Sequence, residues 1–221
     1  MASLMEHRRR LMAEKTFFVP PEYQRVEYIT GDGSSYIDTG IECISDLTVD
    51  FVFSVSTTEQ KAMCGGINQN TPLFRHHGLP YKFGKGNIYM YNYAPSGADI
   101  IPTNIAEPQL DTWYHIIIDP TAGTYLFEGE NYYESGTFTP PATARTTGRG
   151  YGILARISQA GAIQGRPCKF KTFKFKRRGI LLGYFVPVYR KTDNVAGMYD
   201  AVTQAFFANA GSGTIGVGPN V

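Results

Sequence analysis

The run from Tyr184 to Gly213, YFVPVYRKTDNVAGMYDAVTQAFFANAGSG, constrains the fold more tightly than any other stretch. Phe185, Pro187 and Tyr189 take one parity, and Tyr184, Val186, Val188 and Arg190 the other, which is the period of a β-strand. Thr192-Asp193-Asn194 supplies turn chemistry, because short Asx side chains bond their own backbone. Two further apolar runs follow, Val195 to Tyr199 and Ala205 to Asn209, and Gly211-Ser212-Gly213 closes the second. These are the closing strands of an antiparallel β-domain. They contain no paired carboxylates, metal-ligand cluster or phosphate loop.

The same period recurs upstream. Asp46 to Ser56 is the clearest single strand, with Leu47, Val49, Phe51 and Phe53 on one face. Gln24 to Ile29, Tyr36 to Gly40, Lys61 to Gly66, Pro72 to His77 and Tyr151 to Ile157 read as further strands. Thr124 to Phe127 and Tyr132 to Phe138 read as a hairpin across Glu128 to Asn131. Ala94 to Pro108, Thr139 to Gly150 and Ser158 to Pro167 read as connections. Fifteen Tyr, fourteen Phe and twenty-four Gly fit strands and tight turns better than helices. At 221 residues with 43% hydrophobic content the chain has enough apolar material for one all-β core.

Several function classes find no support. A net charge of +2 implies neither a nucleic-acid nor a membrane partner. Cys43, Cys64 and Cys168 are far apart and odd in number, so buried free thiols are expected rather than disulfides or a metal site. No run of roughly 18 apolar residues spans a membrane. Arg8, Arg9 and Arg10 are not followed by an apolar segment of roughly 7–15 residues, so no secretory signal is expected. Asp32 and Asp38 lie in Gly-rich turns without EF-hand spacing, so turn chemistry is expected rather than calcium. No cofactor or metal is expected.

Some side chains do stand out. Residues 1–17 form a basic tail, with a capping box at Ser3 to Glu6, followed by Arg8, Arg9, Arg10 and Leu11. That tail is either a frayed terminus, helical or extended, or a segment that docks on a partner. Tyr89, Tyr91 and Tyr93 share one strand face, and with Arg75 and His76 they are candidates for ligand binding. A tyrosine stripe serves equally as sheet packing, as a subunit interface or as a platform for sugar rings. Adjacent His76 and His77 would point to opposite faces of a strand, which argues against a shared metal ion. His115 shares parity with Trp113 and Ile117 and is expected as a satisfied core histidine. Lys169 to Arg178, KFKTFKFKRR, carries six positive charges and is expected as an edge strand guarded by lysines. Phe170 is out of phase with Phe173 and Phe175, so burying all three needs a bulge near Thr172.

YQRVEYITGDGSSYIDTG, ILARI and KFKTFKFKRRGILLGYFVPVYRKTDNVAGMYDAVTQAFFANAGSG together resemble the LamG-like, concanavalin A-like jelly-roll domain. Such domains occur in phage structural proteins and in surface proteins of gut bacteria. The resemblance covers nearly all of residues 18–218 and implies a two-sheet antiparallel sandwich over residues 18–221. It further implies a non-enzymatic virion protein: a capsid decoration, head-fibre or tail-associated component, made in the host cytoplasm. On that reading the tail docks on other virion proteins, several copies stand on the particle, and the sandwich faces host-surface or environmental glycans. The alternative is a cellular carbohydrate-binding or adhesion module at the cell surface. A glycoside hydrolase is the least favoured reading. Glu128, Glu130 and Glu134 come nearest to the strand motif ExDxxE of the fold's retaining glucanases, but the central Asp is missing.

Overall fold

The computed structural model describes residues 18–57, 62–68, 74–77, 89–94, 97–102, 109–140, 144, 146–158 and 163–221. Residues 1–17, with the candidate docking residues Arg8, Arg9, Arg10 and Leu11, lie outside the described residues. The described chain contains strands and no helix, and so no helix long and apolar enough to cross a membrane.

The first strands are β1 (Tyr23–Arg25), β2 (Ile29–Asp32), β3 (Ile37–Ile44), β4 (Leu47–Val55), β5 (Cys64–Asn68) and β6 (Phe74–His77). Next come β7 (Tyr89–Ala94), β8 (Gly97–Pro102), β9 (Trp113–Asp119), β10 (Thr124–Gly129), β11 (Tyr132–Thr137) and β12 (Thr146–Ile153). The last are β13 (Ala155–Ser158), β14 (Ile163–Gly165), β15 (Pro167–Arg177), β16 (Ile180–Arg190), β17 (Val195–Asp200), β18 (Ala205–Ala208) and β19 (Ile215–Val217). Three connections expected from the sequence are thus partly strand: β8, the start of β12, and β14.

The strands form two sheets packed as a β-sandwich. The larger runs β11-β10-β9-β4-β15-β16-β17-β18, with β1 on β16 and with β2 on both β15 and β19. The smaller runs β14-β13-β5-β6-β7-β8, with β12 bridging β3 and β5. Pairing is antiparallel except for β13 beside β5. Leu154, at φ 74°, marks the bend that turns β12, antiparallel to β5, into the parallel β13.

One core lies between the sheets. Phe51, Phe53, Phe170, Phe173, Phe175 and Phe185 from the large sheet are fully buried, and Tyr151, Ile153 and Ile37 close over them from the small one. Phe173 stacks on Phe51 at 4.4 Å and on Phe175 at 4.7 Å, and Tyr151 meets Phe175 edge-on at 5.0 Å. Cys43, Cys64 and Cys168 are buried thiols in no disulfide. Burial pushes all three thiols up, Cys168 to about 12, so they stay protonated and inert.

The basic segment is not an edge. β15 is central, with β4 along its whole length and β2 and then β16 on its other side. Its register on β4 steps from Phe170–Phe53 to Thr172–Val52, so Lys171 is the extra residue of a bulge. That residue lets all three phenylalanines point inward while the lysines face out. On the solvent side Lys169 pairs with Asp111 and Lys171 with Glu27, each at 2.8 Å. Solubilising the outer face of a central strand, rather than guarding an edge, is what these charges do.

The outer face of the large sheet, turned away from the small one, has its own apolar cluster. Tyr184, Val186, Val188 and Tyr199 are buried there, beneath Val19 and Tyr23 of the entering chain. Tyr23 lies 5.3 Å from both Tyr199 and Phe206. Both faces of β16 are therefore covered, as the alternation of its sequence requires.

The most distinctive sequence motifs turn out to grip each other. Asp32 accepts hydrogen bonds from the amides of Ser34 (2.9 Å), Ser35 (3.0 Å) and Thr214 (2.7 Å). Asn209 accepts from the amide of Tyr36 at 3.1 Å and donates to the Gly213 carbonyl at 2.7 Å. A Cβ on Gly211 or Gly213 would collide with Ser34 or Asp32, so the close approach needs glycine at both positions. Turn chemistry accounts for Asp32, and Asp38 accepts from the Gly40 amide at 3.0 Å.

Inserting one residue between Phe173 and Lys174 should flip every later side chain of β15, forcing Lys174 and Lys176 inward. We expect the insertion variant to yield no soluble folded protein, whereas Lys171→Ala costs less than about 1 kcal/mol in urea unfolding. The Asp32 carboxyl is held below the usual range chiefly by the Thr214 amide; burial opposes this, and the Ser34 and Ser35 amides add to the lowering. Its contribution is present above a pH of about 4 and is lost as pH falls through the depressed folded-state value. The gap in thermal midpoint between wild type and Asp32→Asn is expected to be widest near neutrality and to close in acid.

Candidate functional site

The five candidate ligand residues fall on neighbouring strands of the small sheet. Arg75 and His76 are on β6, and Tyr89, Tyr91 and Tyr93 are on β7. The register pairs His76 with Asn92 and His77 with Tyr91. His76 is therefore out of step with the tyrosines, and His77 is the histidine level with them. Continuing the same register by one residue puts Arg75 level with Tyr93. On the other side of β7, Tyr91 pairs with Ile100 of β8. Residues 75, 77, 89, 91 and 93 thus form one backbone-aligned set, and His76 lies at the alternate parity.

The nearest carboxylate set is taken apart by the hairpin. Glu128 is level with His115 on one side and Tyr133 on the other, whereas Glu134 is level with Phe127. Phe127 faces the core, so Glu128 and Glu134 lie on opposite faces of the sheet. A glycosidase needs both carboxyls flanking one bond, about 5–9.5 Å apart on one face. Glu134 is moreover clasped: Tyr125 donates to its Oε1 at 2.7 Å and Tyr132 to its Oε2. Burial and then the Glu134 hydrogen bond and charge push the Tyr125 phenol up to about 12, and Tyr132 is raised for the same reasons. This is a lock within the hairpin, with both carboxylate oxygens already engaged.

His115 has the parity expected for it, but its face is the outer one. It sits 2.8 Å from Asp50 through Nε2, and the two side chains are 16% and 19% exposed. It is paired with Asp50 without being in the core. Burial acts to raise the Asp50 carboxyl, but the His115 hydrogen bond and charge, with Lys174 and Lys176, outweigh it and leave it lowered. The residues level with His115 are Glu128 and Val52, so the ladder sets no hydroxyl or thiol beside it. Among the described residues no group of three or more His, Cys, Asp or Glu is placed to hold a metal ion.

A second aromatic group emerges only in three dimensions. Tyr28 lies 5.5 Å from Trp113, Lys171 Nζ is 4.4 Å over the indole, and Lys169 Nζ is 5.8 Å from the Tyr28 ring. β2, β9 and β15 contribute to it or lead into it, and no local pattern links them. Its cation–π positions are filled by the chain's own lysines, which makes it a surface clasp across the sheet.

No protein-family model matches the sequence. No characterised protein matches it by sequence. Among solved structures it is similar to a candidate carbohydrate-binding protein from Bacteroides ovatus, at 13% identity and a TM-score of 0.49. That match covers 89% of this chain and 62% of the other, so the chain spans about three fifths of its length. It is also similar to a heptameric SAP-like pentraxin from Limulus polyphemus, at 9% identity and a TM-score of 0.49, covering 88% of this chain and 96% of that one.

Replacing Glu134 by Gln removes the charge that holds back the two phenols. In an absorbance titration of tyrosinate, Tyr125 and Tyr132 are expected to ionise at lower pH in Glu134→Gln than in wild type. An unchanged titration would show that the clasp is not formed in solution.

Proposed function

We propose that this chain is a non-enzymatic virion structural protein that displays a carbohydrate-binding β-sandwich. One observation carries the reading. The entering segment, Val19 to Tyr23, is bound on the outer face of the large sheet, while the tyrosine strand β7 belongs to the small sheet. Attachment through the tail and recognition through Tyr89, Tyr91 and Tyr93 would then use different layers of the sandwich and not compete. The tail, with Arg8, Arg9, Arg10 and Leu11, would dock on other virion proteins. The tyrosines would offer apolar ring faces to sugars and hydroxyls to sugar oxygens. The separation of Glu128 from Glu134, and the clasp on Glu134, speak against hydrolysis of the bound glycan at that hairpin.

Mass spectrometry of purified particles tests the structural role: the protein should be a stoichiometric virion component, and its absence would remove that half of the proposal. Glycan-array binding tests the other half. A stacked ring contributes about 0.5–1.5 kcal/mol beyond its buried area, so Tyr91→Ala should weaken binding by up to roughly tenfold. Binding that ignores this substitution, or no binding to any glycan, would count against β7 as the recognition strand.

A further inference from the structure

The two ends of the large sheet are finished differently. At one end β18 is four residues long, and the chain leaving it at Asn209 folds back onto Ser34 to Tyr36 through the Asp32 and Asn209 bonds. At the other end β11 is six residues long, pairs with β10 without a register shift, and carries no Lys, Arg or Pro. Its only charge, Glu134, is held by Tyr125 and Tyr132.

The hydrogen-bond phase of that edge is known. The Phe138 amide donates to the Gly123 carbonyl at 2.8 Å, in step with the β10–β11 register. Bonded and non-bonded pairs alternate along an antiparallel ladder. Residues 136, 134 and 132 therefore bond to β10, and residues 137, 135 and 133 direct their N–H and C=O groups away from the sheet. Thr137, Ser135 and Tyr133 are all exposed, Tyr133 at 64%. Among the described residues no strand pairs with its outer side, and a regular edge of this kind, whose one charge is already engaged, is a template for another strand unless something blunts it.

We propose that the occupant is a second copy of this chain, joined β11 to β11 across a two-fold axis at Ser135. The edge is self-complementary in that register. Ser135 meets its own symmetry mate, Tyr133 meets Thr137, and each copy offers the N–H and C=O groups of those three residues. Glu134 falls opposite Gly136, so the two carboxylates do not face each other. The exposed Tyr133 ring gains a neighbour beside Thr137. The axis runs perpendicular to the sheet, so the large sheets become continuous and both outer faces stay on one side. Two copies of the entering segment then emerge on that side, with both small sheets on the other. The inference stands independently of whether β7 binds glycans.

Sedimentation equilibrium of the full chain reads the association directly. Wild type is expected at about twice the chain mass. Ser135→Pro removes only an N–H that makes no bond within the sandwich, and Ser135→Lys sets two like charges against each other at the axis. Both variants are expected at the mass of one chain, with the circular dichroism spectrum of wild type. Should the proline variant misfold, the lysine variant alone decides. A wild-type protein at the mass of one chain, or a dimer that survives both substitutions, would overturn the proposal.

Discussion

The large sheet depends on one extra residue. Without the bulge at Lys171, strict alternation from Phe170 would send Thr172, Lys174 and Lys176 inward and turn Phe173 and Phe175 to water. With it, three phenylalanines of one strand enter the core and the lysines face out. The bulge also falls where β15 exchanges β2 for β16 as its neighbour, so the sheet changes partners at the point where the strand bends. Burying an aromatic side chain stabilises by roughly 1.5–3 kcal/mol, whereas a buried unpaired ammonium is far more costly. The register at Lys171 is therefore selected by two large effects of the same sign.

This part of the fold was legible in the sequence because hydrophobic parity is a local signal. Leu47, Val49, Phe51 and Phe53 declare a face by spacing alone, and so do Tyr184 to Arg190. The conflict between Phe170 and Phe173 even locates the bulge. What parity does not say is which face looks inward once both carry apolar residues. His115 and Trp113 were assigned to the right side of β9, but that side proved to be the solvent one. Nor does parity reveal a strand's neighbours: a row of lysines reads the same on a sheet edge as on the outer face of a central strand. β8 and the start of β12 were missed because Gly, Pro and polar residues around them mimic turn chemistry.

The candidate site was less legible, for a related reason. Tyr89, Tyr91 and Tyr93 could be aligned with each other from their own spacing, but aligning them with β6 requires the register across two strands. That register sets His77 level with Tyr91 and His76 level with Asn92. The Tyr125–Tyr132–Glu134 clasp and the Tyr28–Trp113 clasp have no sequence signature at all, since each is assembled by cross-strand neighbours. The first ties strands together through phenol hydroxyls and the second through ring faces, so these tyrosines serve as internal fasteners.

The grip between the opening and closing motifs has a consequence for how the protein is made. β2 finds its partners in β15 and β19, and β1 finds its partner in β16. Early strands must therefore wait for almost the whole sequence before their edges are satisfied. Contacts so far apart in the chain carry a high loop-closure cost and form late. During synthesis Ile29 and its neighbours have no partner for one edge until β15 is made and none for the other until β19 is. Synthesis, rather than any local step, sets the moment at which this sheet can close, and until then the exposed edges are open to the wrong partners.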